Sequence, residues 1–308
     1  MECKLTKKKC IFCGKTEEKF DKNNCWTEEH IIPQALGNET LKIFNVCKEC
    51  NSGLGTYVDN YFVNHMLIKL IRQQLGLKGQ SGKIPNAFKE GKDNGGHIIR
   101  VDENYQPTIV PYIEKNDTHV KIVASSTVEA RMMVEKTLSR MKLPKNEIQD
   151  VLDKVNNIEF ECFQPMVQYD CTIEFNRFYL EAIKIAFEYA VYKLGDDYLK
   201  DSRAIEIQRL LKGAIDGKMK TECKNVPGVS LIHKKLGRIL ETAKDLNCHM
   251  IMIHPDAENK LIAVVILFME SWLSFSVLIS EDASKFSVTN SSLTEFIDVK
   301  INSSFNMK

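Results

Sequence analysis

The sequence CIFC occupies residues 10–13, and CKECN occupies residues 47–51. Two residues separate the cysteines of each pair, so both thiols of a pair can face one ion from a single tight turn. Four thiolates suit a tetrahedral Zn²⁺ ion. The alternative interpretation of the spacing is a redox-active cysteine pair or a coincidence. The predicted zinc ligands are Cys10, Cys13, Cys47 and Cys50.

The residues between the two cysteine pairs carry groups suited to hydrolysis. Residues 27–38 read TEEHIIPQALGN, and Asn51 directly follows the second pair. Carboxylate and amide oxygens are hard ligands that suit Mg²⁺ or Mn²⁺. A neutral imidazole can accept a proton from water. The pattern therefore indicates a hydrolytic metal site beside a structural one.

Taken together, these motifs resemble the HNH endonuclease family over roughly residues 8–65, in the branch with a zinc knuckle and an E-H-x-x-P element. The resemblance implies a ββα-metal fold in which the four cysteines bind structural Zn²⁺. It implies that His30 is the general base, and that Glu29 and Asn51 are ligands of a catalytic Mg²⁺ or Mn²⁺. The implied substrate is double-stranded DNA, cut to 5′-phosphate and 3′-hydroxyl ends.

The middle asparagine of the family's motif has no direct counterpart in this sequence. Many members carry it five residues before the second cysteine pair, where this chain has Lys42. Asn45 and Asn38 are the two candidates to replace it, and the choice between them stays open at this point. In the family this residue orients the loop that carries the base.

Geometry limits which of these residues can share a site. Adjacent strand residues point to opposite faces, so Glu29 and His30 meet only if the strand ends or bulges there. Asp59 is a further candidate ligand, but eight helical steps turn it about 80° away from Asn51, which favours an ion pair. The simpler alternatives are a surface histidine at 30, a solvated carboxylate at 29 and a helix N-cap at 51.

Composition excludes two classes of protein. The chain has 308 residues, of which 44% are hydrophobic, and a net charge of +1, so neither a disordered chain nor a strongly basic nucleic-acid coat fits. Residues 65–100 and 218–244 each carry seven basic and two acidic residues. Each segment is a candidate phosphate contact, and a solvated face is the alternative.

The glycine distribution predicts the domain organisation. Six of the fifteen glycines lie within residues 76–96, which indicates a linker. We therefore expect an HNH-like domain over residues 1–75, a linker over 76–96 and a larger domain over 97–308, an α+β organisation overall. Apolar periodicity predicts helices over residues 57–75, 126–141, 177–194, 201–215 and 231–246.

The leading hypothesis is a cytoplasmic, metal-dependent DNA endonuclease. Residues 261–280 are apolar, but Glu270 at the centre and the alternation after it favour two strands over a membrane span. The larger domain is expected to recognise DNA, sense an activating ligand or protein partner, or form homo-oligomers. By analogy, the chain is a candidate restriction or phage-defence effector. The alternative is a non-catalytic zinc-knuckle module that binds nucleic acid or protein.

Overall fold

A computed structural model of the chain shows an α+β protein, as predicted, with two compact units. One unit combines Met1–Pro85 with Ile173–Lys308, and the other contains Asn86–Thr172. This division differs from the predicted one, in which residues 97–308 form a single domain. The structure describes residues 8–116, 119–155, 166–218, 229–231, 240, 246–287 and 293–299.

The first unit begins with the ββα arrangement that the motifs predict. Strand β1 (Trp26–His30) pairs antiparallel with β2 (Lys42–Cys47), and helix α1 (Lys48–Leu54) follows without a loop. A π-helical turn over Gly55–Asp59 continues α1. Cys47 therefore ends a strand while Cys50 lies in the first turn of a helix, so the second cysteine pair spans the strand–helix junction.

The helix predicted over residues 57–75 is interrupted. Helix α2 (Asn60–Asn64) ends at His65, whose backbone is extended, and α3 (Met66–Gln74) begins directly after it. The His65 side chain accepts a hydrogen bond from the Leu67 amide, so it caps the new helix. Apolar periodicity alone does not reveal this break, because the apolar stripe continues through it.

The second half of this unit is a long helix and an antiparallel sheet. Helix α6 (Phe175–Leu194) confirms the predicted helix over 177–194, and α7 (Ser202–Ile215) confirms that over 201–215. The sheet contains five strands, namely β8 Val229–Leu231, β9 Cys248–Pro255, β10 Leu261–Ile266, β11 Ser274–Ser280 and β12 Leu293–Asp298. Their order in the sheet is β12-β9-β10-β11-β8.

The apolar stretch over residues 261–280 forms paired strands. Strands β10 and β11 are antiparallel, with Val265 opposite Phe275, which confirms the strand prediction for this segment. Among the helices that the structure describes, none has the length and apolarity needed to span a bilayer. The helix predicted over 231–246 lies almost wholly outside the described residues.

One hydrophobic core joins the two parts of the first unit. Helix α6 is buried on nearly all sides, and its rings contact both the cysteine-bearing segment and the sheet. The Phe12 and Phe187 rings lie 5.6 Å apart, and the Tyr179 and Phe275 rings 6.3 Å apart. Burying this helix requires apolar surface on both sides. The cysteine-bearing segment supplies one of those surfaces, so it does not have a core of its own.

The second unit contains two small sheets and a helical hairpin. Part of the predicted linker is structured here, because β3 includes Gly91, and a Cβ at that position would lie 2.6 Å from the Val167 side chain. This glycine therefore permits close packing rather than flexibility. The elements are β3 Glu90–Lys92, β4 Ile98–Val101, β5 Pro107–Ile109, β6 Tyr112–Lys115, β7 Val120–Val123, α4 Thr127–Arg140 and α5 Lys145–Val155.

A buried histidine joins the sheet to the loop after β1. His249 on β9 is fully buried, and its Nε2 donates to the Leu36 carbonyl oxygen at 3.0 Å. The Phe268 amide donates to His249 Nδ1 at 3.1 Å. Burial lowers the pKa of His249 to about 4, so the ring is neutral near pH 7. Both ring nitrogens are used only in this neutral form.

This contact predicts a pH dependence of stability. The His249 pKa lies below its unfolded value near 6.5, so the unfolded chain binds the extra proton and stability falls as pH decreases from about 6.5 to about 4. The contribution lost is about 3 kcal/mol. In His249→Gln, the free energy of unfolding from urea titrations should fall less over this range. An identical pH dependence in both proteins would contradict the assignment.

Candidate active site and metal centre

The four predicted zinc ligands meet at the base of the β1–β2 hairpin. Their Sγ atoms all lie within 4.8 Å of one another, and the Cys13 and Cys47 sulfurs are 3.8 Å apart. Zn–S bonds of about 2.3 Å in a tetrahedron place sulfurs about 3.8 Å apart. The first pair lies on a tight turn in which the Gly14 amide donates to the Cys10 carbonyl oxygen at 2.8 Å. These residues fit a structural Zn²⁺ ion.

The close packing of the thiols shifts their pKa values in different directions. The pKa of Cys10 falls to about 5, chiefly because the Cys50 thiol donates a hydrogen bond to it. Burial raises the pKa of Cys13 to about 11. Several thiolates so close together repel one another unless a cation binds them, and a Zn²⁺ ion removes that penalty.

The regular alternation of faces along β1 decides which of its side chains face outward. The pairing with β2 shifts between Thr27 and Glu29, where two residues of β2 oppose Glu28 alone, so the bulge lies in β2 and β1 keeps its alternation. Glu29 points into the protein and is 4% exposed, whereas Glu28 and His30 lie together, with 3.8 Å between Glu28 Oε1 and His30 Nε2. The irregularity therefore does not bring Glu29 to the face of His30, which the predicted site requires.

His30 is a neutral imidazole with a free nitrogen. Burial lowers its pKa, and the nearby Lys42 ammonium lowers it further, although Glu28 opposes this effect. His30 Nε2 is buried and has no hydrogen-bond partner among the described residues. Lys42, which stands at the family's middle position, binds Glu28 at 2.5 Å. The arrangement leaves the His30 ring able to accept a proton.

Two asparagines hold the backbone on either side of His30. The Asn51 amide nitrogen donates to the Glu28 carbonyl oxygen at 2.9 Å and to Thr27 Oγ1 at 3.1 Å, which fixes this part of β1. Asn38 is fully buried and donates to the carbonyl oxygens of Ile32 and Leu41 at 2.7 and 3.0 Å. Asn38 therefore orients the loop after His30, which is the role that the resemblance assigns to the middle asparagine.

The other candidate for that role is placed differently. The Asn45 carbonyl oxygen accepts a hydrogen bond from the Ile11 amide at 3.1 Å, which ties β2 to the first cysteine turn. This contact involves only the backbone of Asn45. Among the described residues, no hydrogen bond joins its side-chain amide to the loop after His30. Of the two alternatives from the sequence, the contacts favour Asn38.

Glu29 binds a lysine that the sequence did not identify. Lys184 of α6 is fully buried, and its Nζ lies 2.7 Å from Glu29 Oε1 and 3.7 Å from Asp59 Oδ1. Asp59 thus forms an ion pair with Lys184, as its position on the helix favours. The available signal was three charged residues on one face of an otherwise apolar helix, namely Glu181, Lys184 and Glu188.

One of the two predicted ligands of Mg²⁺ or Mn²⁺ faces a cation of the protein itself. A ligand carboxylate has to approach the ion to about 2.1 Å, and Glu29 instead faces the Lys184 ammonium. Asn51 donates its amide nitrogen to the backbone of β1, a contact that does not use its Oδ1, the atom through which an amide binds a cation. The metal-binding roles of these two residues therefore stay predictions, and no chemical step is assigned to a divalent ion here.

In a comparison with known families, residues 10–67 match the HNH endonuclease family. The match begins at the first zinc-site cysteine and ends just beyond the break at His65. It confirms the family that the motifs indicate for this segment. Comparisons with curated proteins and with solved structures find no significant match.

The zinc site gives the second prediction. Cys47→Ala should remove the bound zinc and lower the melting temperature by at least about 10 °C, because the cluster anchors a segment that shares its core with α6. Zinc content by elemental analysis and melting by circular dichroism are the measurements. Cys25→Ala is the control, since this thiol is exposed and lies outside the cluster. Full zinc content in Cys47→Ala would refute the ligand assignment.

Proposed function

Because residues 10–67 match the HNH endonuclease family, we propose that this segment hydrolyses a phosphodiester bond of DNA, with His30 as the general base. The observation that carries the proposal is the state of His30: a neutral ring at the end of β1, with an unpartnered Nε2 and a backbone fixed by Asn51 and Asn38. A general base requires an unprotonated nitrogen and a fixed direction.

The proposed reaction is a displacement at phosphorus by water. His30 Nε2 accepts a proton from the attacking water as the oxygen–phosphorus bond forms. The bond from phosphorus to the 3′-oxygen then breaks, and that oxygen takes a proton from solvent. The products are a 5′-phosphate and a 3′-hydroxyl, as the family resemblance implies. Glu28 lies beside the ring and favours its protonated form once the proton has moved.

The surfaces predicted to bind phosphate are only partly supported. Arg72, within the basic segment 65–100, is buried and donates to the Val63 carbonyl oxygen at 2.8 Å, so it stabilises the fold and is not free to bind DNA. Lys78 and Lys83 of the same segment are exposed. The basic segment 218–244 lies mostly outside the described residues. Double-stranded DNA as substrate therefore rests on the family.

The larger biological role remains a prediction. A restriction or phage-defence effector, homo-oligomers and an activating ligand at the C-terminal part were expected from analogy alone. The second candidate function, a non-catalytic zinc-knuckle module that binds nucleic acid or protein, is favoured by one observation. Glu29, the predicted ligand of the catalytic ion, is bound by Lys184.

A plasmid assay separates these functions. Zinc-loaded protein with Mg²⁺ or Mn²⁺ should nick supercoiled DNA, and His30→Ala should slow nicking by about 10²- to 10⁴-fold, the usual contribution of a general base. His97→Ala is the matched control, because His97 lies in the other unit. DNA binding without cleavage under either ion would instead identify the binding module.

A further inference from the structure

The backbone at His30 is held by a side chain that lies 154 residues away. Lys184 Nζ donates to the His30 carbonyl oxygen at 2.8 Å and to the Ile31 carbonyl oxygen at 3.3 Å. The same ammonium forms the 2.7 Å ion pair with Glu29. One cation therefore binds three consecutive residues at the end of β1, where the chain leaves the strand before Pro33.

Lys184 is charged in this environment. Burial lowers its pKa, but the carboxylates of Asp59, Glu188 and Glu29 together raise it well above its usual value. Glu188 Oε2 lies 3.2 Å from the ammonium. Replacing such a cation leaves buried carboxylates and two carbonyl oxygens unpaired, which is far more destabilising than losing an exposed pair.

The oxygen atoms around Lys184 resemble the shell of a metal ion in number but not in distance. Five oxygens lie between 2.7 and 3.7 Å from Nζ, the range of ammonium contacts and beyond the 2.0–2.6 Å that Mg²⁺ or Ca²⁺ requires. The cation that faces Glu29 in this fold is thus supplied by the chain itself.

We propose that Lys184 is a positioning residue that fixes the backbone of the His30 base, and that Glu29 is its counter-ion rather than a metal ligand. The proposal rests on the proposed function insofar as His30 acts as a base. Lys184 is too far inside the protein to touch a substrate, since its side chain is fully buried. It acts through the carbonyl oxygens of His30 and Ile31, and so through the direction of the imidazole.

The chain offers a matched control on the same helix. Lys193 and Glu295 form an ion pair with the same 2.7 Å separation, but both side chains are partly exposed. Exposed pairs contribute little to stability. The informative comparisons are therefore Lys184→Met against Lys193→Met, and Glu29→Gln against Glu295→Gln, all in the zinc-loaded full chain.

Two measurements that need no activity test the proposal. Hydrogen–deuterium exchange should show the amides of Ile31 and Ile32 exchanging at least about tenfold faster in Lys184→Met, with those of β10 little changed, whereas Lys193→Met has no effect there. Electron paramagnetic resonance of Mn²⁺ should show that the dissociation constant of Mn²⁺ from Glu29→Gln lies within about twofold of the wild-type value. Lys184→Met can fail to fold, and then Glu29→Gln, which retains a hydrogen-bond acceptor, decides the question.

The outcomes are distinct from those of the proposed function. If folded Glu29→Gln keeps normal stability and exchange but binds Mn²⁺ more than tenfold more weakly, Glu29 is a metal ligand and the proposal is overturned. Unchanged exchange at Ile31 and Ile32 in folded Lys184→Met also overturns it. If the wild-type chain cleaves no DNA, the proposed nuclease function is wrong. The exchange and Mn²⁺-binding measurements still test the role of Lys184 in that case. Where cleavage occurs, Lys184→Met should lower kcat and leave KM within about twofold.

Discussion

The burial of helix α6 is the constraint on which the first unit depends. This helix is apolar on nearly every side, and no single layer of protein can cover it. The sheet covers one side, where Tyr179 meets Phe275. The cysteine-bearing segment covers another, where the Phe62 and Phe178 rings lie 4.9 Å apart. Removing either layer would expose a large apolar surface to water.

This constraint explains how the zinc site and the candidate base are coupled. Gly53 in α1 lies so close to α7 that a Cβ there would be 2.6 Å from the Ile215 side chain. The helix that carries Cys50 and Asn51 is therefore packed directly against the C-terminal part. On the other side of the hairpin, α6 supplies Lys184 to the end of β1. The position of His30 depends on both contacts.

Local spacing allowed part of this site to be predicted. The cysteine cluster follows from two short motifs, and the strand pair β10–β11 follows from alternation around Glu270, because each signal lies within a few residues. The direction of Glu29 also follows from local geometry, because alternation along β1 turns it to the face opposite His30. The sequence did not show what Glu29 meets on that face, since Lys184 lies far along the chain in α6.

Other features depend on contacts between distant segments. Lys184 is recognisable as a site residue only once α6 lies against β1, and the structured part of the predicted linker depends on Val167 approaching Gly91. The shared core likewise gives no signal in the sequence of the first 75 residues. The structure shows that these residues complete the core around α6.

The most direct test of this account is the folding of residues 1–85 alone, expressed with zinc and measured by circular dichroism during heating. A segment that shares its core with α6 should show no cooperative melting transition and should bind an apolar dye, while the full chain melts cooperatively. A sharp transition together with native near-ultraviolet signals from the isolated, zinc-loaded segment would show that it folds independently, and would contradict the account.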